Sequence, residues 1–218
     1  MIKGGCLNKT RHFLNLYRRY PHWNSAGCIY IHIPKAAGTS INKAIYGRTL
    51  GHYRADEIAS RFPELYKDCF TFSFVRNPWS RVLSAYRFAR IGKTESMGIS
   101  YPEKYKIPEF ETFERFVLDW LPYKNLEKED FVFQHQCKYV FNKNNKRMVD
   151  FIGKVECLDV DIKVVEDALS KAIDLKHDNR TSLTTGYHAA YVNSEMVDVV
   201  ASIYADDVDL FDYQFEGE

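Results

Sequence analysis

The sequence predicts an α/β fold: a parallel sheet flanked by helices, packed as a single domain. Three observations carry that reading. Two alternating apolar segments each run directly into helical periodicity, as strand-then-helix units of a parallel sheet do. The 218 residues, 45% of them apolar, are enough to bury one full core. Internal repeats and low-complexity tracts are missing, so the chain reads as one unit over 1–218, with its core from about 28 to 213.

A polar, basic lead from Lys9 to Arg19 suits a helix lying on the sheet. Ile29, Ile31 and Ile33 alternate with Tyr30 and His32, which predicts a strand over 28–33. Pro34, Lys35, Ala36, Ala37 and Gly38 make a small-residue loop, and a helix over 39–46 follows. Phe70 to Val75 alternates aromatic and small residues as a second strand. Asn77 then suits an N-cap and Pro78 the first position of a helix over 78–91. From Gly92 to Pro108 the chain is loop-rich and long for a compact domain, a pattern common in lids and binding segments. Apolar residues at 110, 113, 116, 117, 120 and 121 predict an amphipathic helix. A strand near 148–155 and helices near 161–173 and 194–204 complete the expected set.

The first unit carries the clearest chemistry. A strand, a tight loop and a helix N-terminus form an anion cradle, because the first helical amides have no internal partner and the helix dipole favours negative charge there. Lys35, Thr39 and Ser40 add charge and hydroxyl donors. The order differs from the nucleotide-triphosphatase loop, which puts its lysine after the last glycine; here Lys35 precedes Gly38. In the second unit Arg76 stands at the carboxyl end of a strand, where open α/β sheets bind ligands. Ser84 follows eight residues later, about two turns into the helix. A guanidinium fork and a hydroxyl suit a second phosphate. The ordinary alternatives are a solvated lysine in the first turn and a surface ion pair in the second.

Taken together, the two segments resemble a known family. Pro34-Lys-Ala-Ala-Gly-Thr-Ser40 is similar to the 5′-phosphosulfate loop of sulfotransferases that use 3′-phosphoadenosine 5′-phosphosulfate (PAPS), and Phe74-Val-Arg-Asn-Pro-Trp-Ser-Arg-Val-Leu-Ser-Ala-Tyr86 to their 3′-phosphate motif. The likeness is greatest to the carbohydrate sulfotransferases: the chondroitin, dermatan and heparan 2-O enzymes and their small bacterial relatives. Fainter echoes lie at Gly51-His52, Val149–Glu156 and Asp209–Tyr213. The resemblance implies a P-loop-like fold and sulfuryl transfer from PAPS to a carbohydrate hydroxyl, with no metal. It implies that Lys35 neutralises charge on the leaving phosphate. Ala37, Gly38, Thr39 and Ser40 would cradle the 5′-phosphate, and Arg76 and Ser84 would grip the 3′-phosphate. Arg180, in the polar loop His177–Ser182, resembles a further donor contact.

Transfer to a hydroxyl also needs a base, and an imidazole is the side chain that titrates near neutral pH. His52 resembles the base of the heparan 2-O-type enzymes. His135 is the competitor: related enzymes carry His-x-x-x-Gln here, but this chain has Val132 where the histidine belongs and keeps Gln136. His32 reads as structural because it lies within a strand, and Glu57 is the carboxylate to consider if both other histidines fail. Two other readings stay open: a P-loop-type kinase or nucleotide-binding protein, and a sulfotransferase acting on a small non-carbohydrate hydroxyl compound.

A net charge of +1 argues against a nucleic-acid partner. No segment approaches the apolar length of a membrane span, and the first residues lack a signal-peptide core. The eukaryotic members of the resembled family are membrane-anchored, so these features predict a cytoplasmic, bacterial enzyme. Cysteines at 6, 28, 69, 137 and 157 are odd in number and form no C-x-x-C pair, as expected of reduced thiols.

Overall fold

The computed structural model describes residues 3–93, 98, 99, 101–175 and 186–215. A parallel three-stranded sheet organises them: β1 (Cys28–Ile31), β2 (Phe70–Val75) and β3 (Phe151–Lys154), in the order β1-β2-β3. Cys28 pairs with Phe70, and Phe72 with Phe151, so both ladders advance together toward the ends that carry the two turns. Side chains reinforce the register. Ser73 Oγ donates to Ile31 O at 2.7 Å, and Asp150 Oδ2 accepts both the amide and the hydroxyl of Thr71 at 2.8 Å. In β3, Gly153 lets the strands approach: a Cβ there would lie 2.5 Å from the Phe74 ring. All four residues of β1 are buried, and β2 is buried from Thr71 onward, which is why both read as apolar runs.

Helices flank this sheet. The lead forms α1 (Lys3–Ala26), longer than the expected 9–19, and packs on β1 through buried Leu16 and Trp23. α2 (Gly38–Tyr46) and α5 (Pro78–Ile91) follow β1 and β2 as the periodicity predicts. The Tyr46 hydroxyl accepts the Tyr30 amide at 2.9 Å and donates to Cys28 O at 3.2 Å. Between these units α3 (Ala55–Arg61) and α4 (Pro63–Asp68) occupy a stretch too short and mixed to show periodicity.

The expected helix over 110–121 is a correction. It breaks into 3-10 turns at Pro108–Phe110 and Leu121–Tyr123, a single α turn α6 (Phe113–Arg115) and a π turn over Phe116–Trp120. Phe110, Phe116, Trp120, Tyr105 and Phe133 pack there at centroid distances of 5.0–6.4 Å, and fitting these rings outweighs regular helical bonding. The short α7 (Cys137–Val140) precedes β3; α8 (Leu158–Leu169), α9 (Ser194–Ile203) and α10 (Ala205–Leu210) follow it. The strand expected over 28–33 ends at Ile31, and that near 148–155 shortens to 151–154.

Candidate active site

β1 delivers the first turn. Beyond Ile31 the chain passes through His32, Ile33 and Pro34 into a loop where Lys35 (φ 67°) and Ala37 (φ 55°) both take left-handed backbone. That conformation costs a non-glycine residue energy, so the surroundings hold the loop in place. Ala37 is the N-cap of α2, and no side chain caps the helix. The dipole of α2 thus opens onto the loop, with half-buried Thr39 and Ser40 in its first turn. Gly38 is required by packing: a Cβ would fall 1.8 Å from the ring of His32. Its smallness, expected to admit a ligand, makes room for a neighbouring imidazole.

β2 delivers the second turn. Asn77 caps α5, accepting from Trp79 N at 3.1 Å and Ser80 N at 3.3 Å, with Pro78 at the first helical position. Both features match the sequence expectation. Arg76, just beyond the strand, is buried. Its Nε donates to Ser80 Oγ at 3.0 Å and Nη1 to Lys35 O at 3.4 Å, so the two turns meet. Burial draws the Arg76 pKa down to about 10, against the pull of nearby Glu156. Glu156 accepts the Asn77 amide at 2.7 Å and the Tyr213 hydroxyl at 2.9 Å, while Asn77 Nδ2 donates to Gln214 O at 3.1 Å. The sequence echoes at Val149–Glu156 and Asp209–Tyr213 therefore converge on the back of this turn.

One face of α5 gathers the cations. Ser80, Ser84 and Phe88 are spaced by four residues and share that face. Ser80 binds Arg76, and Lys35 Nζ sits 4.4 Å above the Phe88 ring. Half-buried Ser84 stands between them. Burial and the Arg76 charge lower the Lys35 pKa to about 8. Two buried cations whose charges act on each other favour an anion between them.

His52 lies beside the same loop. Its ring is 4.1 Å from that of His32 and stacks at 4.7 Å on Phe131. His52 Nδ1 donates to His32 O at 2.9 Å, which fixes the tautomer and leaves the Nε2 lone pair to accept a proton. Burial lowers the His52 pKa to about 4; the bond to the His32 carbonyl works against this, and the Lys35 charge lowers it further. The residue is thus neutral well below the ordinary imidazole range. His32, buried and with Nδ1 unpartnered, is held well below the usual value by the same burial, with His52 and Lys35 adding to it. His135 has a different neighbourhood: its ring packs 5.1 Å from Tyr204, and the charges acting on it are those of Asp207, Arg81, Asp206 and Lys138. Glu57 closes the first turn of α3 by accepting Arg54 N at 2.9 Å and also meets His12 Nε2 at 3.1 Å.

Several contributors have no sequence signal of their own. Arg81, in the first turn of α5, is buried and donates to Val132 O at 3.1 Å and Gln134 O at 2.8 Å. Asp207 accepts Gln136 N and Cys137 N, each at 2.8 Å, and lies 3.8 Å from Arg81. Gln136 bonds to the Arg76 backbone. Ligand atoms of His135, Cys137 and Asp207 come within 4.8 Å of one another, a spacing that metals use. Arg81 and two amides already engage that carboxylate, so this cluster reads as a helix cap. Arg180, expected to contact the donor, lies outside the described residues.

A helix start opening onto a loop, a lysine on the strand side of the glycine and an arginine at the next strand end thus stand together at one end of the sheet. The model of the sulfotransferase family matches residues 24–214, nearly the whole chain. The chain belongs to the sulfotransferase family. The sequence matches no curated protein and no solved structure. Membership makes sulfuryl transfer to a hydroxyl acceptor the relevant chemistry, and the α/β sheet with its flanking helices is consistent with the sulfotransferase fold. Among the described residues no helix is long and apolar enough to cross a membrane.

Proposed function

We propose that this sulfotransferase moves a sulfuryl group from PAPS to a hydroxyl of a carbohydrate. The observation that carries the reading is the bond from the Arg76 guanidinium to the Lys35 carbonyl, which joins the two anion-binding turns into one site. A donor with phosphate at both its 5′ and 3′ positions needs two such turns side by side; ATP needs one. In this reading Ala37, Gly38, Thr39 and Ser40 receive the 5′-phosphosulfate at the start of α2, and Arg76 and Ser84 receive the 3′-phosphate. The likeness of the loop and of Gly51-His52 to carbohydrate sulfotransferases supports a sugar acceptor.

His52 Nε2 takes the proton of the acceptor hydroxyl as its oxygen bonds to sulfur. The bond from sulfur to the bridging phosphate oxygen breaks, and the electron pair stays on the 5′-phosphate. Lys35 and the uncapped amides of α2 stabilise that growing charge. Because His52 is already neutral near pH 7, no proton need leave it first.

Ligand linkage tests the donor. Adenosine 3′,5′-bisphosphate should raise the melting temperature well above the shift given by AMP or ATP at equal concentration. Equal shifts from all three would overturn the PAPS assignment.

A further inference from the structure

Gln136 is completely buried and lies 60 positions from Arg76 in sequence, yet its side chain takes both backbone groups of that residue. Oε1 accepts the Arg76 amide at 2.9 Å and Nε2 donates to Arg76 O at 2.7 Å. A primary amide used in this way stands in for a neighbouring strand. It extends the pairing of β2 one residue past Val75, where β3 reaches its end at Lys154. The Arg76 main chain cannot rotate without breaking bonds that, in a buried site, no water replaces.

Gln136 is itself held. Its amide donates to Asp207 Oδ2 at 2.8 Å, and Arg81 ties down the carbonyls of Val132 and Gln134 just before it. The fixed order Arg81, Asp207, Gln136, Arg76 crosses from α5 and α10 through the start of α7 to the end of β2. A glutamine that served only to fill the core would not need both of its polar ends on one residue.

We propose that Gln136 is a positioning residue for donor recognition: it orients Arg76 toward the 3′-phosphate and so sets the preference for a 3′-phosphorylated nucleotide. This rests on the reading that Arg76 binds that phosphate.

The test is a ratio. Binding of adenosine 3′,5′-bisphosphate and of AMP is measured by calorimetry for the wild type, Gln136→Met and Gln136→Glu. Methionine keeps the volume and removes both bonds; glutamate keeps the acceptor and loses the donor. The wild type should prefer the bisphosphate. Gln136→Met should narrow that preference by roughly tenfold to a hundredfold, the scale of a misplaced contact, with AMP affinity within about twofold of wild type. Gln136→Glu should fall between, and it carries the test if the methionine variant does not fold. The donor KM should rise while kcat at saturating donor stays close to wild type. If both nucleotides weaken equally and the ratio survives, Gln136 is a plain core residue and the proposal is overturned. A wild-type protein with no preference would instead overturn the 3′-phosphate reading of Arg76, and that result is seen before any substitution is made.

Discussion

The two strand-to-helix turns stand side by side and solve the same problem in opposite ways. After β1, Lys35 and Ala37 sit in left-handed backbone and no side chain caps α2, so backbone amides face the ligand space. After β2, Asn77 caps α5, Glu156 takes the Asn77 amide and Gln136 takes both backbone groups of Arg76. Little backbone is left over there, and recognition falls to side chains. The first turn is therefore suited to the reacting group, where charge develops and many short contacts help. The second suits a spectator phosphate that needs only to be recognised. On the proposed reading, strain falls on the turn that meets the reacting group and satisfied bonding on the turn that sets selectivity.

Substitutions should separate the two turns by the kinetic constant they move. The largest effect belongs to the reacting side: His52→Ala should lower kcat by about 10²–10⁴, the scale of a lost general base, and leave bisphosphate affinity near wild type. Retained activity would remove His52 from the mechanism. Lys35→Ala should cost about 10²–10³ in kcat, as loss of a strong electrostatic donor does. Arg76→Ala should instead raise the donor KM with much less change in kcat; the reverse pattern would mean the turns have been assigned the wrong way round.

Acidity gives a finer comparison. Lys35 has its pKa lowered to about 8 in the free protein, and a bound anion must raise it, so donor binding takes up a proton. Affinity is full below about pH 8 and falls as pH rises above it, until the pKa of the complex is reached. Calorimetry in two buffers of different ionisation enthalpy reads that uptake directly, and no uptake near pH 9 would contradict it. On the acid side, kcat/KM should hold down to about pH 4, where free His52 gains its proton. The smallest expected effect is structural. Asn77→Ala should cost about 1 kcal/mol of stability as a lost cap and show as a lower denaturation midpoint, with kcat nearly intact.

Both turns were legible because each is written in consecutive residues. Pro34 to Ser40 and Arg76 to Ser84 located the two turns, the helix starts and the candidate phosphate ligands, and Asn77 and Pro78 cap as their types predict. What surrounds the turns was not legible. Gln136 and Asp207 act from 60 and 71 positions away from their partners, and nothing local in either residue points to such a role. The reason for Gly38 was equally hidden, because the ring that demands it belongs to His32, across the loop. His52 was placed by likeness to a family, yet the feature that tunes it is a backbone carbonyl and burial against Phe131, which no side-chain identity encodes. The segment 110–121 misled for a related reason: apolar spacing reports a buried face, and crowded aromatic rings can be buried by turns other than regular α-helix.

The hydroxyl of Tyr46 has a consequence for both ends of α2. Among the described residues β1 is one edge of the sheet, and an open edge invites another chain to pair with it. Tyr46 engages the Tyr30 amide and the Cys28 carbonyl, so that docking row is already occupied. The helix that seals the edge with its last residue is the one whose first residues open onto the anion loop. A shift of α2 along its axis as the donor entered would pull the seal from the strand. Tyr46 thus ties the last turn of α2 to β1, and any movement of the anion loop that keeps this tie must come from the residues between Ile33 and Gly38.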